Sequence, residues 1–470
     1  MPLPSREFPA VVNAGDLRSR ALEVLLRPDL APIVDLVCWR DGDLVHVADS
    51  TGHSTLSRSG GVAVLEGVDP VADQDPLSDS SYPFAAERLY SLFDEPRAPD
   101  LAVVHTDAHH WPERGGHLGE HGSLGAVQSR APLILSGAGV SARGVIDRAV
   151  RTVDVGATLA HLAGGTYDGM DGRPIDLASF TGGPVVGLLW DGAACASLLA
   201  HAGELPAVSR LLSRGVALRG GAIAEFPSVT LVNHTCALTG VGPGKHGIVN
   251  NAFFDRATGE QVVPNSSAMW HSSMSLLRPG VTTVFERVPG RTACVNDPVD
   301  VGADYSTFQL IRANGGTGGL LEQQPAPADD PLTAHQHLGN ADYAWGSQVD
   351  AAGLVQVLDL WRDGEPPALM WWNTTLTDAA HHAGGPESEI AIDSLREADR
   401  RLGVWLDLLA SRRLLDSTTI LLTADHGMAR ADPSCTGDWD VALTEAGIPF
   451  RDEAYGFLYL GSDVVGQRAG

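Results

Sequence analysis

The chain has almost no lysine. Lys245 stands alone among 470 residues, and Lys and Arg together number 32 against 58 Asp and Glu, a formal net charge of −26. A surface that tracks a phosphate backbone needs clustered cations, so a nucleic-acid polymer is not the expected partner. The acidity reads as solubility and the use of Arg for Lys as genome composition; neither marks a function. Long apolar runs are also missing. Ala131–Leu135 and Ile420–Leu422 are strand-length, far short of the ~18 residues a membrane helix needs, and Met1–Glu7 lacks the apolar stretch of a signal peptide. The five cysteines are scattered with no Cys-x-x-Cys pair, which excludes a disulfide frame and predicts reduced thiols in a cytoplasmic protein. With 44% apolar and 19% charged residues, the chain is globular and not disordered.

At roughly 150 residues per domain, the length allows three domains or one large α/β core with insertions. Short β-rich runs alternate with helical patterns. Pro184–Trp190 reads as a buried strand ending at Asp191-Gly192, and Leu198–Ser213 then has helical spacing, with Leu205, Val208, Leu211 and Leu212 on one face. Asp100–Val104, Ala368–Trp372 and Thr418–Thr423 are further strands. Such runs predict a mostly parallel central sheet flanked by helices on both faces. Functional residues of these sheets gather beyond the carboxyl ends of the strands, where Asp191 and Asp425 fall. Two regions depart from the pattern. Residues 32–70 predict a small β subdomain of short strands and turns. Residues 253–348, rich in Gly, Pro and aromatics with poor periodicity, predict a cap-like insertion over the site. Asp171–Pro184 behaves as a linker.

Four segments offer metal ligands near strand ends: Asp191-Gly192; Thr230 to His234, followed by Gly242 to Asn251; Asp378 to His382 ahead of Gly384-Gly385-Pro386; and Asp425-His426-Gly427-Met428. Singly, each has an ordinary explanation. An Asp closing a strand is commonly a turn residue or helix cap. Thr230 could cap a helix running from Leu231 to Leu238. Asp378 and His382, at i and i+4, could be a solvated helical pair, although the Gly-Gly-Pro behind them favours a loop. His234 and His246 read more readily as structural than as ligands.

Together, in this order and spacing, the segments resemble the alkaline phosphatase superfamily, and within it the type I nucleotide pyrophosphatase/phosphodiesterases, with phosphonoacetate hydrolase a near relative. The resemblance rests on Thr230-x-x-Asn233, on His-Gly-Ile-x-x-Asn closing at Asn251, on Asp378-x-x-x-His382-x-x-Gly-Pro, and on Asp425-His426-Gly-Met. It implies two divalent ions, most simply Zn²⁺ with Mn²⁺ or Fe²⁺ able to use the same set. One would be held by Asp191, Thr230, Asp425 and His426. The other would be held by Asp378, His382 and a further His that the family carries in a Gly-x-His-Gly motif near its C-terminal end.

No histidine follows His426 in this chain. The N-terminal part offers one instead. Gly119-Glu120-His121-Gly122, then Arg130–Gly137 as a strand, then Val153–Leu162 as a helix resemble the family's closing segment. The expectation is therefore a circularly permuted chain. Residues 1–176 would be the family's C-terminal portion moved to the front, 177–184 would join the old ends, and 185–470 would be the remaining core. Domain termini usually lie at the surface and near each other, so such a rearrangement is physically mild. The runs Tyr455–Leu460 and Pro32–Leu36 are then expected as neighbours in the small β region. The alternative is a separate N-terminal domain with a chance Gly-x-His-Gly. Of the nearby histidines, His105, His109, His110 and His117 are expected mostly on exposed loops, with substrate contact or secondary metal binding the minor alternatives.

The resemblance also implies a reaction. Thr230 would attack phosphorus and form a phosphoryl-threonine, its hydroxyl being far too weak an acid to do so unaided. Asn233, the helix N-terminus and Asn251 would contact the phosphoryl oxygens. No Arg closely follows Thr230 to neutralise a monoester dianion, so the expected substrate is a small phosphorylated molecule with a phosphodiester or pyrophosphate bond, nucleotide-like. Carbon–phosphorus hydrolysis, phosphomonoester hydrolysis and an inactive metal-containing phospho-ligand binder stay open as alternatives. No motif bears on the oligomeric state.

Overall fold

The computed structural model describes residues 14–112, 115–266, 269–315 and 336–464. Its central sheet has eight strands in the order Tyr305–Ser306, Thr292–Val295, Leu369–Thr374, Val185–Trp190, Thr419–Thr423, Leu133–Gly137, Gly215–Leu218 and Gly144–Ile146. Neighbours are parallel except around Leu133–Gly137, which runs against both strands beside it. The three middle strands of the parallel part are buried at every residue, as expected of a sheet covered on both faces. Their register sets Trp190 opposite Thr374 and Leu189 opposite Thr423. Asp191, the segment from Thr375 to Asp378, and Ala424-Asp425 therefore emerge side by side at one edge.

The predicted small β region is an antiparallel meander of four strands from Val34–Asp41 to Val62–Gly67. It is larger than expected, because the sheet continues through Leu101–His105 to Phe457–Leu460 and Phe450–Glu453. Leu101–His105 lies between Val34–Asp41 and Phe457–Leu460, so the two predicted neighbours are one strand apart. The late strand also begins only at Phe457, since Ala454–Gly456 forms a turn.

Residues 14–176 do not form a body of their own. Leu133–Gly137 is sandwiched between Thr419–Thr423 and Gly215–Leu218, and the helix Thr152–Leu162 packs on the helix Thr230–Thr239. Ile175 and Leu177, from the linker, are buried in the same core. At this junction Arg151 makes a bidentate pair with Glu225, Nε to Oε1 at 2.9 Å and Nη2 to Oε2 at 2.8 Å, and the Glu225 side chain is fully buried. The wholly buried Arg88 also feels the Glu225 charge; burial pulls its guanidinium down to about 9 and Glu225 opposes that. Removing one partner of such a group leaves buried charge uncompensated. Glu225→Ala is therefore expected to cost about 3–5 kcal/mol in equilibrium denaturant unfolding, far more than an exposed pair would.

Several expectations need correction. Leu198–Ser213 is two helices, Cys195–His201 and Pro206–Ser213, because Pro206 has no N–H to continue the first and suits the opening turn of the second. Asp378 and His382 lie on a helix, Leu376–Gly384, and not on a loop. The Gly-Gly-Pro behind them ends that helix, with Gly385 at φ 82°. Residues 253–348 are not one insertion: Thr292–Val295 and Tyr305–Ser306 belong to the central sheet. Part of that stretch, 316–335, lies outside the described residues.

Candidate active site

Asp191 leaves its strand with its N–H donated to Thr374 O and its own carbonyl accepting from Thr377 Oγ1. This ties it to the segment that carries Asp378. Gly192 follows in a left-handed turn at φ 63°, and a Cβ there would come within 2.5 Å of Asp378 Oδ1. Only glycine lets the two acidic residues approach this closely. The Gly192 N–H also donates to Asp425 Oδ1 at 3.0 Å, which orients that carboxylate and leaves Oδ2 turned toward His426 Nε2 at 3.1 Å.

Six of the seven residues named from sequence as ligands lie in overlapping clusters, Thr230 being found on the cavity wall beside them. Ligand atoms of His121, Asp378 and His382 lie within 4.8 Å of one another, as do those of Asp191, Asp378 and His426, and those of Asp191, His234 and Asp425. The His121 and His426 rings stack with centroids 3.7 Å apart, and His121 and His382 are 5.0 Å apart. In each of the three predicted histidines Nδ1 lies against a backbone carbonyl: Ser228 O for His121 (2.9 Å), Gly119 O for His382 (2.8 Å) and Gly427 O for His426 (2.9 Å). A carbonyl only accepts, so Nδ1 carries the proton and each Nε2 presents a lone pair.

These residues fit a metal. Asp191 Oδ1, Asp378 Oδ1, Asp425 Oδ2 and His426 Nε2 are all buried without a hydrogen-bond partner, an arrangement that costs about 1–3 kcal/mol per group unless something binds there. Among the described residues, imidazoles are the only ion-pair partners of these three carboxylates. Burial, reinforced by Asp425 and Asp378, holds Asp191 well above the usual carboxylate range. Burial, with His426 and His382 beside it, holds His121 well below the usual imidazole range. Crowded carboxylates are what a divalent cation would neutralise, and imidazoles oriented through Nδ1 are what it would ligate.

Thr230 is the first residue of the helix Thr230–Thr239, whose N-cap is Val229. Its side chain lines a cavity of about 610 Å³ together with Asp191, Asp378 and His382. Asn265, Trp270 and Trp345 line the same cavity, so parts of the 253–348 stretch do border the site.

Not every predicted residue reaches it. Asn233 is fully buried and faces the loop before Thr230. Its Oδ1 accepts from Glu225 N–H at 2.7 Å, and its Nδ2 lies 3.1–3.2 Å from the carbonyls of Glu225, Pro227 and Val229. With both ends of the amide spent on backbone, it shapes the loop and has no donor for a substrate. Asn251 is better placed, its Oδ1 accepting from Leu231 N–H, one residue after Thr230. His105, His109 and His110 are buried and not exposed; His105 and His109 pack on Trp111, and His109 reaches Trp439. His117 lines the cavity, its ring 4.4 Å from that of His382. His246 is structural: burial pushes it down to about 3, its Nδ1 accepts from Ile248 N–H, and its Nε2 meets Cys236 Sγ.

Sequence reasoning read His234 as structural. It lies one turn after Thr230, with Nε2 3.6 Å from both Asp191 Oδ2 and Asp425 Oδ2, and Nδ1 2.9 Å from Asp297 Oδ2. Burial lowers its affinity for a proton, but Asp297 and Asp191 outweigh that and hold it well above its ordinary value. Asp297 is anchored in turn by the N–H groups of Trp371 (2.7 Å) and Val299 (2.9 Å). The i, i+4 spacing from Thr230 was the available signal, since it sets both side chains on one helix face.

The class to which the chain belongs is the alkaline phosphatase superfamily. The sequence model of the family described as type I phosphodiesterase / nucleotide pyrophosphatase matches residues 185–466, and the chain belongs to that family. Among curated relatives, an uncharacterized pyrophosphatase/phosphodiesterase of Schizosaccharomyces pombe is 28% identical over 210 residues, 44% of this chain and 37% of that protein. Ectonucleotide pyrophosphatase/phosphodiesterase family member 3 of Mus musculus is 24% identical over 249 residues, 52% of this chain and 25% of that protein. The chain thus spans well under half the length of these relatives. Among solved structures, phosphonoacetate hydrolase of Sinorhizobium meliloti with phosphonoformate has 23% identity and a TM-score of 0.37, covering 56% of this chain and 60% of its own. An inactive variant of murine ectonucleotide pyrophosphatase/phosphodiesterase 5 with AMP has 15% identity and a TM-score of 0.41, covering 58% and 64%.

Proposed function

We propose that the chain is a dinuclear-metal phosphohydrolase that cleaves phosphodiester or pyrophosphate bonds in nucleotide-like small molecules through a phosphoryl-threonine. The observation that carries this reading is the position of Thr230, at a helix N-terminus on the cavity wall beside Asp191, with the converging Asp and His side chains around it. One ion would be held by Asp191, Thr230, Asp425 and His426 and the other by Asp378, His382 and His121. Such ions, most simply Zn²⁺, supply the positive charge that acidifies a hydroxyl and steadies phosphoryl oxygens. Thr230 supplies the attacking oxygen in line with the departing group. The N-terminal end of its helix would face the negative charge that builds on the phosphoryl oxygens. Asn251 takes the donor role first given to Asn233. The family membership and the names of the curated relatives support phosphodiester and pyrophosphate bonds as the targets.

We further propose that the chain is circularly permuted. The family match beginning at residue 185 supports this, as does the strand Leu133–Gly137 lying inside the central sheet and His121 meeting Asp378 and His382.

The test is the rate of hydrolysis of bis-p-nitrophenyl phosphate against p-nitrophenyl phosphate on zinc-loaded protein, with a chelated control. A chelator-sensitive preference for the diester is expected. Cleavage of neither ester, with activity on phosphonoacetate instead, would overturn the phosphodiesterase reading.

His234 and Asp297 would act by orienting Asp191 and Asp425. Asp297→Asn keeps the shape but removes the charge behind His234, and is expected to weaken zinc binding about 10–100-fold in a competitive chelator titration.

A further inference from the structure

The hairpin formed by Phe450–Glu453 and Phe457–Leu460 turns through Ala454–Gly456, with Glu453 opposite Phe457. Tyr455, at its tip, has φ 55° and ψ 43°. A bulky residue in the left-handed region costs on the order of 1–3 kcal/mol and persists only where its surroundings hold it there. Glycine or asparagine would turn the chain without that cost, so the reason for a tyrosine lies in where its side chain goes.

It goes into the candidate active site. The ring covers Gly122, where a Cβ would fall 2.3 Å from Tyr455 Cδ1. The phenol oxygen is 3.4 Å from His121 Nε2, and the two rings are 5.3 Å apart. His121 Nδ1 carries its proton for the Ser228 carbonyl, so the phenol stands next to the lone pair that the metal reading assigns to an ion. The tip is also fastened to the nucleophile's surroundings. Asn250 Nδ2 donates to Ala454 O at 2.6 Å and Asn250 Oδ1 accepts from Asn251 N–H at 2.8 Å, while Asn251 Oδ1 accepts from Leu231 N–H at the start of the Thr230 helix. One chain of hydrogen bonds thus fixes the phenol relative to Thr230.

We infer that Tyr455 is a substrate-contacting residue, its phenol donating a hydrogen bond to an oxygen of the phosphoryl group. The inference rests on the phosphohydrolase reading. With an ion on His121 Nε2, that lone pair is occupied, and the oxygens of a phosphoryl group entering beside it are acceptors within the phenol's reach. A donor of this kind strengthens as negative charge gathers on the oxygen. It would act beside Asn251, since Asn233 is spent on backbone and cannot donate.

The experiment compares Tyr455→Phe with the native, zinc-loaded protein. The readouts are the dissociation constant for inorganic phosphate by calorimetry, bound zinc, thermal midpoint, and kcat/KM for bis-p-nitrophenyl phosphate. Y455F keeps the ring on Gly122 and loses only the donor. Phosphate binding is expected to weaken about 10-fold and kcat/KM to fall at least as much, with zinc content and thermal midpoint unchanged. Equal phosphate affinity in the two proteins would overturn the assignment while leaving the hydrolase reading intact. Loss of zinc in Y455F would also overturn it, because the phenol would then be supporting His121 and not the substrate. A native protein that binds no phosphate and cleaves neither test ester would remove the hydrolase reading and this inference with it.

Discussion

Thr230→Ala is expected to abolish turnover, with kcat on bis-p-nitrophenyl phosphate falling by about 10,000-fold or more while fold and zinc binding largely survive. The size follows from what is removed. The other alcohol lining the cavity, Thr375, donates its Oγ1 hydroxyl to Asp350 Oδ1, and Asp191, Asp378 and His382 are acceptors or ligands, so no neighbour replaces the attacking hydroxyl. The structural cost is small. The residue is buried only at the cavity edge, and the N-cap of its helix is Val229, so no capping hydrogen bond is lost with the side chain. Thr230→Ser keeps the oxygen and is expected to retain activity within about 100-fold of native, the loss reflecting the extra rotamer freedom of an unbranched side chain. The measurements are kcat, zinc per chain and thermal midpoint for both variants. Substantial turnover by Thr230→Ala would end the phosphoryl-threonine reading.

The parts of this site that were legible share a physical origin. Asp191, Asp378 and Asp425 follow strands that are buried along their whole length, and such strands announce themselves as unbroken apolar runs. The parallel sheet then delivers whatever follows them to one edge. Less legible was anything decided by side-chain direction. Asn233 and Asn251 are both asparagines near Thr230, but three residues along a helix the Cβ tilts back toward the N-terminus. That tilt delivers the Asn233 amide to the carbonyls of residues 225–229. Thr292–Val295 escaped notice for another reason. Four residues among glycines and prolines carry no measurable period, and only pairing with Leu369–Thr374 and Tyr305–Ser306 makes them a strand. His105 and His109 resemble solvated loop residues in sequence, yet their rings pack on Trp111, and that of His109 also on Trp439, as further aromatics of that cluster.

The same reasoning bears on His121, which stands far from the other ligands in the chain and yet is held among them. Gly119-Glu120 pairs antiparallel with Ala429-Arg430, just past His426. Leu118 N–H donates to His382 O, and Gly119 O accepts from His382 Nδ1. Ser228 adds its carbonyl to His121 Nδ1 and its hydroxyl to Gly122 N–H and Ser123 O. All but the Nδ1 bond are made by groups other than the His121 side chain, so His121→Ala should leave the loop in place and remove only a ligand. The variant is expected to hold about one zinc per chain where the native protein holds about two. Turnover is expected to drop at least about 1,000-fold, since an ion's contribution to phosphoryl transfer is worth several kcal/mol. Added imidazole, entering the space the side chain left beside His426, is expected to restore part of both. Unaltered zinc content in a folded His121→Ala protein would separate this loop from the metal site. The permutation proposal would then lose the one functional residue that the first part of the chain contributes to it.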